Sequence, residues 1–232
     1  MTKSPQAPPQ TYQAQSLTTE DKSFEALYLK KDYKGAVNYL LSHKQQLNSG
    51  IFHYNLGTVY SKIGDFPAAR YHLEKALKEG YINSSSLNNL TYVKTQLQVD
   101  DLSTSANLPD EVMNSVLSVP AQAYLSLTLV FFLAGMLLIK SKKVTRKMTM
   151  VLLLLMALTP VLFSQLYLEK VNYAVAFKDV PLYEGPSKIF SEKGKVRAGS
   201  KIVLGEFKEG WFYVKFPISL AGWISKDQIG LY

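Results

Sequence analysis

The chain has no cysteine, which excludes a disulfide framework, a thiolate metal site and a cysteine nucleophile, and fits an oxidising compartment. Histidine is scarce: only His43, His53 and His72 occur. None stands in a ligand spacing such as H-E-x-x-H, and no glycine-rich phosphate loop or catalytic carboxylate pair is recognisable. The expectation is therefore a non-enzymatic protein without a cofactor or bound metal. His53 is read as a packing residue of a helical core.

Charge is also missing from two long stretches. Ala121 to Ile139 and Met148 to Leu168 contain no Asp, Glu, Lys, Arg or His, and about 20 such residues suffice for a helix to cross the hydrocarbon core. Between them lies "KSKKVTRK" with Lys140, Lys142, Lys143, Arg146 and Lys147 and no acid. The formal net charge is +8, and five of those charges sit in this short loop. The basicity is thus topological, and nucleic acid is not expected as a partner. The loop predicts a two-helix hairpin whose turn is held in the cytoplasm by the positive-inside rule. No Lys or Arg occurs in residues 101–120, so both flanking regions are expected on the non-cytoplasmic side of a bacterial inner membrane. Pro160 is expected to break one backbone hydrogen bond of the second helix, with Thr159 or Ser164 available for the freed carbonyl. Without ionisable groups at depth, the usual residue signature of an ion or proton pathway is lacking.

Exporting the first 120 residues calls for a signal, and the Pro/Gln-rich start "MTKSPQAPPQTYQAQ" has no apolar core. The expectation is that the start lies elsewhere or that a signal has been trimmed; the alternative keeps the N-terminal region inside, against the charge rule. Residues 1–19 read as disordered.

Residues 20–100 read as helical. "YNLGTVYSKIGDFPAARYHLEKAL" carries Leu56, Gly57, Tyr60, Gly64, Asp65, Phe66, Ala69 and Ala76, a set that resembles the tetratricopeptide repeat. Asp32, Tyr33, Ala36 and Leu40 echo its second helix 33 residues upstream, while Asn89 and Leu90 stand one 34-residue period after Asn55 and Leu56. The resemblance implies a degenerate repeat, a clear repeat and a capping half-repeat. It also implies a concave peptide-binding groove carrying Tyr54, Thr58, Ser61, Lys62, Asn88 and Tyr92. The Lys/Asn/Arg carboxylate clamp of some family members is not reproduced there.

Residues 101–120 read as a linker, and from Val171 the pattern becomes short β-rich runs between turns. In "WFYVKF" Phe212, Val214 and Phe216 alternate with Trp211, Tyr213 and Lys215, the period of a strand with one buried face. "KEGW" reads as a hairpin turn at Gly210. Together with "PLYEGPS", "VRAGSKIVL" and "GWI", these runs resemble a bacterial SH3-like domain over residues 171–232. The resemblance implies a small barrel that binds peptides or cell-wall stem peptides, with Tyr183, Trp211, Tyr213 and Trp223 as its candidate ligand face. Partial burial in a barrel with little else to pack is the competing reading of each ring.

The expected fold is thus multidomain, α plus membrane plus β: a repeat array, a transmembrane hairpin over 121–168 and a small SH3-like β-barrel. This order of parts resembles the Bacteroides aerotolerance (Bat) group, whose members are encoded with von Willebrand factor A proteins and a MoxR-type ATPase. The resemblance implies a membrane-anchored scaffold for protein partners at the cell envelope, in stress or oxygen tolerance. The rival expectation is a peptidoglycan-binding anchor or envelope sensor acting through the barrel.

Overall fold

The computed structural model describes residues 21–99, 108–109, 112, 116, 121–142, 147–166 and 171–232. They form a mixed α and β protein that divides into two compact units between Gln98 and Val99. The expected disordered start, nearly all of the expected linker, Lys143, Arg146 and residues 167–168 lie outside the described residues.

The first unit is made of α1 (Asp21–Leu29), α2 (Tyr33–Ser42), α3 (Ser49–Ile63), α4 (Phe66–Lys78) and α5 (Ser84–Leu97). Each helix packs on the next, and α3 also touches α5. Side-chain caps set where they begin. Asp32 accepts from the Gly35 amide at the start of α2, and Asp65 accepts from the Ala68 amide at the start of α4. Asn48 caps α3, and Asn83 with Ser86 forms a reciprocal capping box on α5. A cap of this kind contributes about 1 kcal/mol. α3 stops at Gly64, whose φ of 90° is open to glycine at no steric cost.

Apolar positions at i, i+4 and i+7 make the core. Phe52, Leu56 and Val59 of α3 pack with Ala36 and Leu40 of α2. Ala69 and Leu73 of α4 pack with Leu90 and Val93 of α5. Between them α3 and α4 approach closely at Gly57, where an added Cβ would lie 2.7 Å from Leu73 Cγ and 3.0 Å from its backbone nitrogen.

The second unit contains two apolar helices, α6 (Ala121–Lys140) and α7 (Lys147–Leu166). Both are long and apolar enough to cross a membrane, and only 6% and 17% of the respective apolar windows are buried. Helices in the core of a soluble protein would be mostly covered. α6 and α7 pack on each other, and the buried residues of α7 are Ala157, Pro160 and Ser164. Small residues of this kind let two backbones approach. Pro160 cannot donate to the Met156 carbonyl; the Thr159 hydroxyl does so instead, at 2.7 Å. The next amide, Val161 N–H, donates across the pair to Thr128 Oγ1 at 3.1 Å, while that hydroxyl donates to the Tyr124 carbonyl.

The rest of this unit is a seven-stranded antiparallel sheet: β1 (Asn172–Ala176), β2 (Val180–Tyr183), β3 (Glu192–Val196), β4 (Lys201–Lys208), β5 (Trp211–Phe216), β6 (Gly222–Ser225) and β7 (Ile229–Leu231). Their order is β3-β2-β6-β5-β4-β1-β7. Residues from all seven strands, among them Ala174, Leu182, Val196, Ile202, Val214, Ile224 and Ile229, meet in one buried cluster. A flat sheet cannot bring one side of its two edges together, so this one curls on itself. The β4–β5 turn has positive φ at both Glu209 (49°) and Gly210 (86°), the geometry of a two-residue hairpin that matches strand twist.

The contact at Gly57 yields a direct test. Gly57→Leu is expected to destabilise the helical unit by about 1–3 kcal/mol, and Gly57→Ala by less. Hydrogen exchange on the full chain would show this as lost protection confined to α3 and α4. Unchanged protection in the leucine variant contradicts the packing described here.

Candidate functional site

On the helical unit, the expected groove residues lie on α3 and α5. Tyr54 is half-buried, packs against the α4–α5 cluster and sits 4.9 Å from the Tyr81 ring. Tyr92 packs on the same cluster, edge-on to Phe66 at 6.2 Å. Thr58 donates to the Tyr54 carbonyl and accepts from Asn89 Nδ2 at 3.1 Å, which ties α5 to α3. Ser61 donates to the Thr58 carbonyl. Lys62 and Asn88 are exposed. The six therefore divide: the two tyrosines and Thr58 help hold α3, α4 and α5 together, Ser61 bonds within α3, and Lys62 and Asn88 lie at the surface.

A second constellation has no signature in the sequence, because its members sit on different helices. His53 on α3 and His72 on α4 meet Nδ1 to Nδ1 at 2.8 Å, so one ring donates through Nδ1 and the other accepts there. Burial pushes the His53 imidazole down to about 4, reinforced by Lys75 and Lys44 and opposed by Glu79, whose Oε1 is 3.9 Å from His53 Nε2. Burial also pushes His72 down to about 3, with His53, Lys75 and Lys44 adding to the effect. Both rings are neutral near pH 7, and Tyr60 stacks on His72 at 5.4 Å. Among the described residues no three His, Cys, Asp or Glu side chains gather to hold a metal. His43 instead closes α2, bonded through Nδ1 to the Tyr39 carbonyl at 2.8 Å and stacked on the Tyr39 ring.

On the sheet, all four candidate aromatics share one outer face. β2, β6 and β5 are neighbours, and their register pairs Tyr183 with Trp223, Trp223 with Tyr213 and Trp211 with Ser225. Side chains alternate across a strand, so Leu182, Phe212, Val214 and Ile224 turn to the core while these rings turn away. Tyr183 meets Trp211 edge to face at 5.5 Å, and Tyr213 meets Trp223 at 5.6 Å. Each ring is half-buried. The same parity adds Lys215 on β5, Lys208 opposite Trp211 with Glu206 two residues before it, Lys195 opposite Pro181 and Glu192 opposite Tyr183, all exposed. These charges escape a search for aromatic candidates alone, since only strand pairing brings them to the face.

Of the loop charges, Lys140 ends α6, Lys142 lies in the turn beyond it and Lys147 begins α7, all exposed. No protein family matches the chain, and neither the curated proteins nor the solved structures compared with it give a match.

The histidine pair makes the helical unit sensitive to acid. Both imidazoles titrate lower in the folded state than the ordinary value of 6.5, so the unfolded chain takes up protons first as pH falls. Their contribution is fully present above pH 6.5 and is lost on descending through the folded values of about 4 and about 3. The expected loss is of order 1 kcal/mol per pH unit for each ring. Protection of α3 and α4 from hydrogen exchange, corrected for the intrinsic rate, should decline from pH 6.5 to pH 4. His53→Gln with His72→Gln should flatten that slope; an unaltered slope contradicts the assignment.

Proposed function

We propose that the chain is a non-enzymatic, membrane-anchored adaptor that binds protein partners at the cell envelope, a BatE-like member of the Bacteroides aerotolerance group. In this reading α1 to α5 are tetratricopeptide repeats, α6 and α7 are a transmembrane hairpin and the curled sheet is an SH3-like barrel. Asp32 and Asp65 capping corresponding helices and the tight approach at Gly57 support the repeat assignment. The seven-stranded order and the single core support the barrel. By the positive-inside rule, the five basic residues of the turn support a cytoplasmic turn with the helical part and the sheet both in the periplasm. The partners are protein segments held in the repeat groove, with von Willebrand factor A proteins and a MoxR-type ATPase as the group's expected associates.

One observation carries the reading: two separately cored parts flank an apolar hairpin whose surface is left almost uncovered. Such an arrangement holds binding surfaces at a membrane. A second reading, peptidoglycan anchoring through the barrel, is favoured by the four rings that share one outer face. Retention of the isolated barrel on purified sacculi distinguishes it, since adaptor function predicts none.

The groove is best tested at Lys62, which is exposed. Lys62→Glu should reduce recovery of co-purifying protein partners at least several-fold in quantitative pull-downs from native membranes, with membrane insertion unchanged. Tyr54→Ala is a poorer probe, because truncating a ring packed on the α4–α5 cluster also costs stability. Equal partner recovery with the Lys62 variant contradicts the groove assignment.

A further inference from the structure

We infer that the outer face of β2, β6 and β5 is a lipid-docking face, which lays the sheet on the anionic surface of the bilayer that holds α6 and α7. This rests on the reading of those helices as membrane spans. The face is built from four amphipathic rings on three neighbouring strands: Trp223 pairs directly with Tyr183 and Tyr213, and Trp211 meets the Tyr183 ring. Tyrosine and tryptophan favour the membrane–water boundary, where the ring body meets acyl chains and the hydroxyl or indole N–H meets headgroups. Among the described residues no side-chain or backbone group bonds these four polar tips, so they are left for such partners.

The charges around the rings choose the lipid. Lys195, Lys208 and Lys215 project on this face by strand parity, with two acids, Glu192 and, two residues before Lys208 on β4, Glu206. None of the three lysines is in an ion pair among the described residues. Basic side chains around an aromatic patch complement an anionic headgroup layer.

Covalent reach makes the occupant specific. α7 ends at Leu166 and β1 begins at Asn172, six residue steps that span at most about 21 Å. The sheet is therefore tethered within one strand length of the bilayer surface, and the tether raises the effective concentration of lipid at the face far above that of any free ligand.

The chain supplies its own probe. It has two tryptophans, and both lie on this face. Full-length protein is reconstituted in liposomes of phosphatidylcholine with phosphatidylglycerol, with or without brominated acyl chains, and its emission is recorded. Docking predicts that bromination removes at least half of the emission and that aqueous iodide quenches weakly. Replacing Lys195, Lys208 and Lys215 together by Glu should restore most of the emission with an unchanged circular dichroism spectrum, and so should liposomes without phosphatidylglycerol. Emission that ignores bromination and is quenched by iodide overturns the inference. So does bromination quenching that neither the triple variant nor the neutral lipid alters. Added sacculi that shield the tryptophans from iodide, without bromination quenching, overturn it in favour of wall binding. The liposomes are also floated after carbonate extraction. Protein left behind refutes both the spanning helices and the docking, whereas floated protein with unquenched tryptophans refutes the docking alone.

Discussion

A helix surrounded by hydrocarbon has no water to satisfy its backbone, and each orphaned polar group there costs several kcal/mol. The hairpin of α6 and α7 meets that constraint even where its sequence breaks the helix. Pro160 removes one amide, the Thr159 hydroxyl takes the Met156 carbonyl, and Thr128 on the other helix takes the Val161 amide. The side chains that remain outward, such as Leu133, Leu137, Leu152 and Leu155, are more than half exposed. On the proposed reading lipid covers them. On that reading everything else depends on this element, because a basic turn that stays on one side commits the chain before α6 and after α7 to the other.

The two soluble parts solve the problem of small cores differently. The helical part relies on close approach: Gly57 against Leu73, and Ala36, Ala69 and Ala76 fully buried. Its polar interior includes a neutral histidine pair, which is tolerable while both rings are uncharged and becomes costly as the unfolded chain gains protons. The sheet fills its interior with Val, Leu, Ile and Ala and places its two tryptophans outside. An inward tryptophan would bury more apolar area, so their position on the rim of a lysine-bearing face has its explanation in what the face touches.

Much of this was legible in the residues themselves. The uncharged runs and their basic turn mark the hairpin, and Pro160 beside Thr159 announces both a lost hydrogen bond and its replacement. The alternation in "WFYVKF" separates Trp211 and Tyr213 from Phe212 and Val214. What could not be read is set by pairing between distant segments. Tyr183 and Trp223 join the other rings only because β2 and β5 both flank β6. His53 reaches His72 through the way α3 crosses α4, and Thr128 reaches Val161 across the hairpin. Tyr54, assigned to an open groove from its repeat position, also packs on the α4–α5 cluster and meets the Tyr81 ring.

The most direct test of the anchoring arrangement uses the absence of cysteine. Single cysteines at Ser85, Ser141 and Asp227, all in the described structure, are labelled in intact cells with a membrane-impermeant maleimide and again after permeabilisation. The account predicts labelling at 85 and 227 from outside the inner membrane and at 141 only after that membrane is opened. Labelling of 141 in intact cells, or of 85 only after permeabilisation, contradicts it.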